Sequence, residues 1–175
     1  MSQVLVRRAR TVDVSAIAAL VDRYSTERIL LAKAKVTLYE DVQEFWVAEV
    51  DGNIVGCGAL HVLWDDLAEI RTLAVDVAMR GTGVGRALLE QLANVARELG
   101  VRRLFCLTFE VDFFKRNGFD VIEGAPVEED VFQELLLSYD EGVAEFLDLE
   151  KAQPLANGER QLRKRKVAIP EKPWF

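Results

Sequence analysis

The sequence predicts an α/β domain built on a mixed β-sheet, and three observations carry that prediction. Two β-rich runs, "FWVAEV" and "IVGCGALHVLW", are joined by "DGN", a turn-forming stretch that makes an antiparallel hairpin. A third run, "EIRTLAVDV", passes through the glycine-rich turn "MRGTGVGRALL" into an apolar stripe at helical spacing. The run "VRRLFCLT" follows that stripe, so hairpins and strand–helix–strand units alternate in one chain, the pattern of an α/β fold with helices against the sheet.

The elements follow in order. "VLVRRAR" (4–10) reads as a first strand. "TVDVSAIAALVDRYS" reads as a helix, with Ile17, Leu20, Val21 and Tyr24 on one face and Thr11 or Asp13 at its start. "ILLAKAKVTLYEDVQ" reads as a loop and a short helix. After the hairpin and "EIRTLAVDV", the residues Val84, Leu88, Leu92, Val95 and Leu99 recur at steps of three and four, and Gly100 closes that helix. "VRRLFCLT" is a strand, "VDFFKRNGF" a short helix ended by Gly118, and "FDVIE" the last core strand. "VEEDVFQELLLSYDEG" extends the chain as a further helix. From about Lys151 the sequence turns polar and basic and holds three of the four prolines, so residues 1–150 are expected as the domain and 151–175 as a tail or arm.

Bulk properties exclude several function classes. With 175 residues, 50% of them hydrophobic and 29% charged, the chain builds one soluble domain. A formal net charge of −7 disfavours nucleic acid and anionic membrane as partners. "MSQVLVRRAR" places apolar residues before basic ones, the wrong order for a secretion signal. No apolar run approaches the roughly 18 residues of a membrane span. Cys57 and Cys106 each sit in an apolar run, as buried thiols of a reducing compartment do, and the cytoplasm is the expected location. One histidine and no clustered cysteines argue against zinc.

The glycine turn raises the functional question. Gly81, Gly83 and Gly85 alternate between Arg80 and Arg86. A dinucleotide fingerprint would need its third glycine at Arg86 or Leu88, and a P-loop would need a following lysine; neither is present. What remains is R-x-x-G-x-G ahead of a helix. The first turn of a helix offers unpaired N–H groups and partial positive charge. Residues without Cβ let phosphate oxygens reach them. A tight strand–helix turn without a ligand is the plain alternative.

Arg80, Gly83 and Gly85, with "LAVDVAMRGTGVGRALLEQL" before "FFKRNGF" in matching order and spacing, resemble the GNAT family of N-acetyltransferases from about Val4 to Glu123. Within it, "ILLAKAKVTLYEDVQEFWVAE", "IVGCGALHV", "EIRTLAV" and "LFCLTFEVDFFKRNGF" are similar to the acetyltransferase domain of N-acetylglutamate synthases, without their amino-acid kinase domain. The resemblance implies a mostly antiparallel sheet whose fourth and fifth strands splay apart, with acetyl-CoA as co-substrate and no metal. It places the pyrophosphate on the backbone of Arg80, Gly81, Thr82, Gly83, Val84, Gly85 and Arg86. It places the pantetheine arm along Leu73, Ala74 and Val75 as a substitute strand, near Phe114. It implies acetyl transfer to the α-amine of glutamate or glutamine, the first step of arginine biosynthesis, with a small amino acid as partner. A homodimer is the assembly to look for, although the sequence itself does not reveal oligomeric state.

Acetyl transfer to an amine needs a proton acceptor and donors for the oxyanion. Glu69, four residues before Leu73, matches the general base of several family members; a solvated strand-end carboxylate is the alternative. The oxyanion donor is expected at the Leu73 or Ala74 N–H. Phe114 stands where many relatives carry the tyrosine that protonates the leaving thiolate, which leaves Tyr39, Tyr139, solvent or no dedicated acid in that role. Arg71, sharing a strand face with Glu69 and Leu73, is a clamp for an α-carboxylate. Lys33 and Lys35 match arginines that bind substrate in glutamate-using relatives, and His61 is a minor candidate for the amine pocket. Glu110 replaces an arginine that contacts substrate there. A carboxylate repels glutamate and accepts from the side-chain amide of glutamine, so glutamine is expected to compete with glutamate. Rival expectations are a GNAT enzyme for another amine (a protein N-terminus, a polyamine, an antibiotic) and an acetyl-CoA sensor without turnover.

Overall fold

A computed structural model of the protein describes residues 3–26, 33–148 and 165–169. A seven-stranded sheet runs through it in the order β1-β2-β3-β4-β5-β7-β6. The strands are β1 (Leu5–Arg8), β2 (Phe45–Val50), β3 (Asn53–Trp64), β4 (Leu67–Val75), β5 (Arg103–Thr108), β6 (Asp120–Ile122) and β7 (Arg165–Ala168). Among the described residues only β4 and β5 pair in parallel; the other five neighbour pairs are antiparallel. The helices are α1 (Val14–Thr26), α2 (Lys35–Glu40), α3 (Val84–Glu98), α4 (Val111–Arg116), α5 (Glu129–Leu135) and α6 (Glu141–Phe146).

Local chemistry accounts for most of these boundaries. Asp51 and Gly52 both take positive φ, 49° and 80°, as a two-residue hairpin turn demands. Asp13 ends a 3-10 turn before α1; its buried carboxylate accepts from the Arg10 N–H at 2.7 Å and from the Arg7 guanidinium at 2.8 and 3.0 Å. On α3 the stripe Val84, Leu88, Leu92 and Val95 is buried against the sheet, each side chain contributing about 1.5–3 kcal/mol. Leu99, assigned to that stripe, is exposed, because it is already the capping residue before Gly100 at φ 83°.

Two elements differ from the expectation. The stretch 127–142 is two short helices rather than one, interrupted at Ser138–Asp140, and Asp140 caps α6 by accepting from the Val143 N–H at 3.1 Å. "FDVIE" is not the last core strand. Arg165–Ala168, inside the segment set apart as a tail or arm, lies between β5 and β6, with Val167 fully buried. Lys166 reaches the Gly124 carbonyl at 2.8 Å and the Asp148 carboxylate at 2.7 Å. A four-residue strand with one buried apolar side chain has no periodicity to betray it; its ladder is supplied by strands distant in sequence.

The parallel ladder sets up the site. It runs from Leu67↔Arg103 to Ile70↔Cys106 and stops there, although both strands continue. The expected splaying of the fourth and fifth strands is present. On the other edge of β4, the register jumps from Ala59↔Arg71 to Cys57↔Ala74. Gly58 therefore faces two residues, Thr72 and Leu73, which is a β-bulge. Thr72 takes φ 53°, a conformation that costs a non-glycine residue about 1–3 kcal/mol.

Candidate active site

A cleft of about 920 Å³ opens where β4 and β5 part. Leu73 and Val75 line it from β4, Met79, Arg80, Gly81 and Gly83 from the turn before α3, Gly85 and Arg86 from the first turn of α3, Phe113 and Phe114 from α4, and Tyr139, Asp140 and Gly142 from the start of α6.

The three glycines of the turn divide into two kinds. Gly81 and Gly83 have φ 76° and 92°, and a Cβ on either would meet nothing within 4 Å. The backbone there needs glycine, and its open side faces away from the packed chain. Gly85 is different: a Cβ would come within 3.3 Å of the Phe113 ring, so it lets the first turn of α3 pack on α4. Gly83 is the N-terminal flanking residue of the 15-residue α3, whose first N–H groups have no intrahelical carbonyl to meet. This cradle fits an anionic diphosphate in backbone geometry and in polarity. Arg80 places its guanidinium over the Tyr24 ring at 5.5 Å and donates to the Tyr24 hydroxyl at 3.2 Å. Arg86 is exposed and pairs with Glu90 at 2.8 Å. Val84 buries its side chain completely, and the Thr82 hydroxyl donates back to the Met79 carbonyl at 2.6 Å. Neither side chain lines the cleft, so only their backbone groups are available to a ligand.

The bulge reorders β4. Glu69, Arg71 and Leu73 do not share a face, as simple alternation predicted. The extra residue turns Leu73 toward α3, where its Cδ1 lies 3.0 Å from the position of a Cβ on Gly58. Ala74 packs in the opposite cluster with α1 and does not line the cleft. The Val75 carbonyl, on the stretch assigned to the pantetheine arm, accepts from the Tyr24 hydroxyl.

Glu69 and Arg71 lie together under α6. The Glu69 carboxylate, 6% exposed, accepts from Arg71 Nε at 2.5 Å. Arg71 Nη1 and Nη2 donate to the two oxygens of Asp140 at 2.9 and 2.5 Å. Burial pushes the Glu69 carboxyl above the ordinary glutamate range, and Arg71 offsets that only in part. For Asp140 the balance is reversed: burial opposes ionisation, but the Arg71 guanidinium holds the carboxyl at about 2. Arg71 itself resists deprotonation, because its two carboxylates outweigh its burial. The fork expected to clamp a substrate carboxylate is thus engaged by Asp140.

The remaining expected residues are scattered around this trio. His61 stands opposite Glu69 across the β3–β4 ladder, with Nδ1 2.8 Å from Glu44 and Nε2 3.9 Å from Asp140. It does not line the cleft. Lys33 lines the cleft and stands 3.9 Å from Asp41; Lys35 is exposed and does not line it. Glu110 lines the cleft from the start of α4, exposed, with its N–H on Thr108 Oγ1 at 2.8 Å. Phe114 is buried, edge-on to Phe113 and Phe119. Of the two tyrosines considered as acids, Tyr139 lines the cleft and Tyr39 does not.

Residues 15–119 match the acetyltransferase (GNAT) family. The chain belongs to the GNAT acetyltransferase family. Among its GNAT relatives, an amino-acid acetyltransferase of Mycobacterium tuberculosis is 61% identical over 153 residues, 86% of this chain and 87% of that protein. An amino-acid acetyltransferase of Neisseria meningitidis is 36% identical over 118 residues, and the chain spans only 27% of that longer protein. The solved structure of Rv2747 from M. tuberculosis in complex with CoA and NLQ superposes with a TM-score of 0.85 at 56% identity, covering 94% of this chain and 98% of that one. N-acetylglutamate synthase of Neisseria gonorrhoeae, complexed with coenzyme A and N-acetyl-glutamate, gives 0.74 at 26% identity, covering 98% of this chain and 36% of that one.

The parts that Asp140, Gly142 and Gly58 play in the site were missed from sequence, and Tyr24 was read only as a helix-face residue. "SYDEG" carries a capping aspartate and a glycine, a signal for a helix start rather than for the middle of one.

Proposed function

We propose that the protein transfers the acetyl group of acetyl-CoA to the α-amine of glutamate or glutamine, the step that opens arginine biosynthesis. The observation that carries this is one cleft holding both the glycine cradle of Gly81–Gly83 and the buried Glu69 carboxylate. The cradle takes the diphosphate, and the open edge of β4 beside Leu73 takes the arm that leads to the thioester. Glu69, with its proton affinity raised by burial, accepts the proton that the substrate ammonium must lose. The amine nitrogen then bonds to the thioester carbon, and backbone N–H groups at the bulge stabilise the oxyanion. As the C–S bond breaks, the second proton of the attacking nitrogen passes to the departing sulfur, with the cleft-lining Tyr139 phenol giving its own proton to sulfur and regaining that one, so coenzyme A leaves as the thiol and the product is the neutral amide.

Arg71 is held by Asp140, so the α-carboxylate is assigned to Lys33, which lines the same cleft. Glu110 favours a side-chain amide over a second carboxylate, which supports glutamine alongside glutamate. The buried thiols Cys57 and Cys106, not joined in a disulfide, support a cytoplasmic location. The test is thiol release from acetyl-CoA with each of the twenty amino acids. Turnover confined to glutamate and glutamine is the expected result. Turnover on other amines only, or coenzyme binding with no turnover, would replace this reading with one of its rivals.

A further inference from the structure

The Arg71 guanidinium is gripped from two sides. Glu69 takes Nε, and Asp140 takes both terminal nitrogens. Asp140 is itself tied down by the Val143 N–H and stands 3.9 Å from His61 Nε2. The helix behind it is anchored: Val143, Phe146 and Leu147 are buried, and Phe146 stacks on Phe105 with ring centroids 4.4 Å apart. Gly142 brings the backbone directly onto the pair. A Cβ there would lie 2.5 Å from Arg71 Nη2 and 3.0 Å from Glu69 Oε2. Gly142 thus closes the α6 side of the pair, and Asp140 holds both terminal nitrogens of Arg71 where it borders the cleft.

We propose that Asp140 is a positioning residue for catalysis. By holding the far end of Arg71 it fixes Nε on Glu69 and keeps the proton-accepting carboxylate aimed into the cleft, rather than acting as a latch that a substrate carboxylate displaces. The inference rests on the assignment of Glu69 as proton acceptor. With Glu69 ionised the trio carries one net negative charge, which attracts the substrate ammonium and leaves the α-carboxylate to another cation. Among the described residues, the charged groups that act on Glu69 are Arg71 on its own strand, Asp140 before α6 and His61 on β3 with Glu44 behind it, while Tyr139 and Glu145 line the same cleft. Of these, Asp140 alone shares the Arg71 fork. Removing its charge leaves the whole guanidinium to Glu69, which makes Glu69 a weaker base.

The experiment is steady-state kinetics of Asp140→Asn from pH 5 to 9 with acetyl-CoA and glutamate or glutamine, beside Glu69→Gln and Gly142→Ala. Asparagine keeps the helix cap. The expected result is a kcat about tenfold lower at neutral pH, an acid limb moved to lower pH, and an amino-acid KM within about twofold of wild type. A lower KM with unchanged kcat shows a displaceable latch and overturns the proposal. So does a uniform loss of kcat with the pH profile unmoved, as a purely structural role gives. If Asp140→Asn does not fold, Gly142→Ala decides: pressing on Nη2 with Asp140 intact, it lowers kcat at constant KM, and wild-type kcat refutes the proposal. Full activity in Glu69→Gln removes the proton-acceptor assignment instead. Loss there beside wild-type behaviour in Asp140→Asn removes only the role of Asp140.

Discussion

Replacing Gly83 with valine tests the cradle, because the structure separates its two costs. The residue sits at φ 92° and ψ −1°, where an L side chain costs about 1–2 kcal/mol. No steric cost within the chain adds to that, since a Cβ there meets nothing within 4 Å. For a protein of this size the melting temperature should fall by roughly 2–8 °C. The second cost falls on the coenzyme, because the branched side chain fills the space over the first N–H groups of α3. Losing two charge-assisted hydrogen bonds removes at least about 3 kcal/mol, or roughly 100-fold in affinity. Gly100→Ala is the control. Gly100 has φ 83° and equal open space, lies at the far end of α3, and is not on the cleft. Its melting temperature should fall by a similar amount while coenzyme A affinity, measured by titration calorimetry, stays constant. A folded Gly83→Val protein that binds coenzyme A like the wild type would refute the cradle, and the site assignment with it.

Three further outcomes follow from the site and its supports. Glu69→Gln should lower kcat by about 10²–10⁴-fold at pH 8 with little change in coenzyme affinity, read by thiol release and calorimetry together. Glu110→Arg should raise the glutamate-to-glutamine ratio of kcat/KM about tenfold, since a like charge near the side-chain carboxylate becomes an opposite one; competing initial rates measure it. Asp13→Asn should destabilise the fold by about 2–3 kcal/mol at pH 7, because it breaks a buried pair with Arg7. Arg7 holds the Asp13 carboxyl below its ordinary range. The stabilisation is therefore present above the unfolded value of about 3.9 and lost as pH falls through the lower folded value. Urea titrations should find the two proteins converging in acid.

The sequence was legible wherever structure is local. The hairpin at Asp51–Gly52, the α3 stripe and the glycine turn each announce themselves within a dozen residues. Propensity and burial agree at each of them. It was illegible where a residue acts through a distant partner. Arg71 looked like a substrate clamp because nothing near it in sequence names Asp140, 69 positions away, as the group that takes its fork. Val167 looked like part of a tail because its ladder comes from β5 and β6.

The bulge at Thr72–Leu73 shows how one inserted residue produces the site. Without it, β4 would alternate regularly, and Glu69, Arg71 and Leu73 would point the same way. With it, Leu73 joins the α3 side, while Glu69 and Arg71 stay on the side covered by α6. The lining of the cleft is therefore apolar where an acyl arm must run and ionisable where a proton must go. The same stretch of β4 has left the β5 ladder, so backbone groups beside Leu73 face the cleft instead of a neighbouring strand. Gly58 makes this fit: a Cβ there would press on Leu73 and Leu92 at 3.0 Å each. Deleting Thr72 would restore simple alternation, at the cost of turning Leu73 out of its packing.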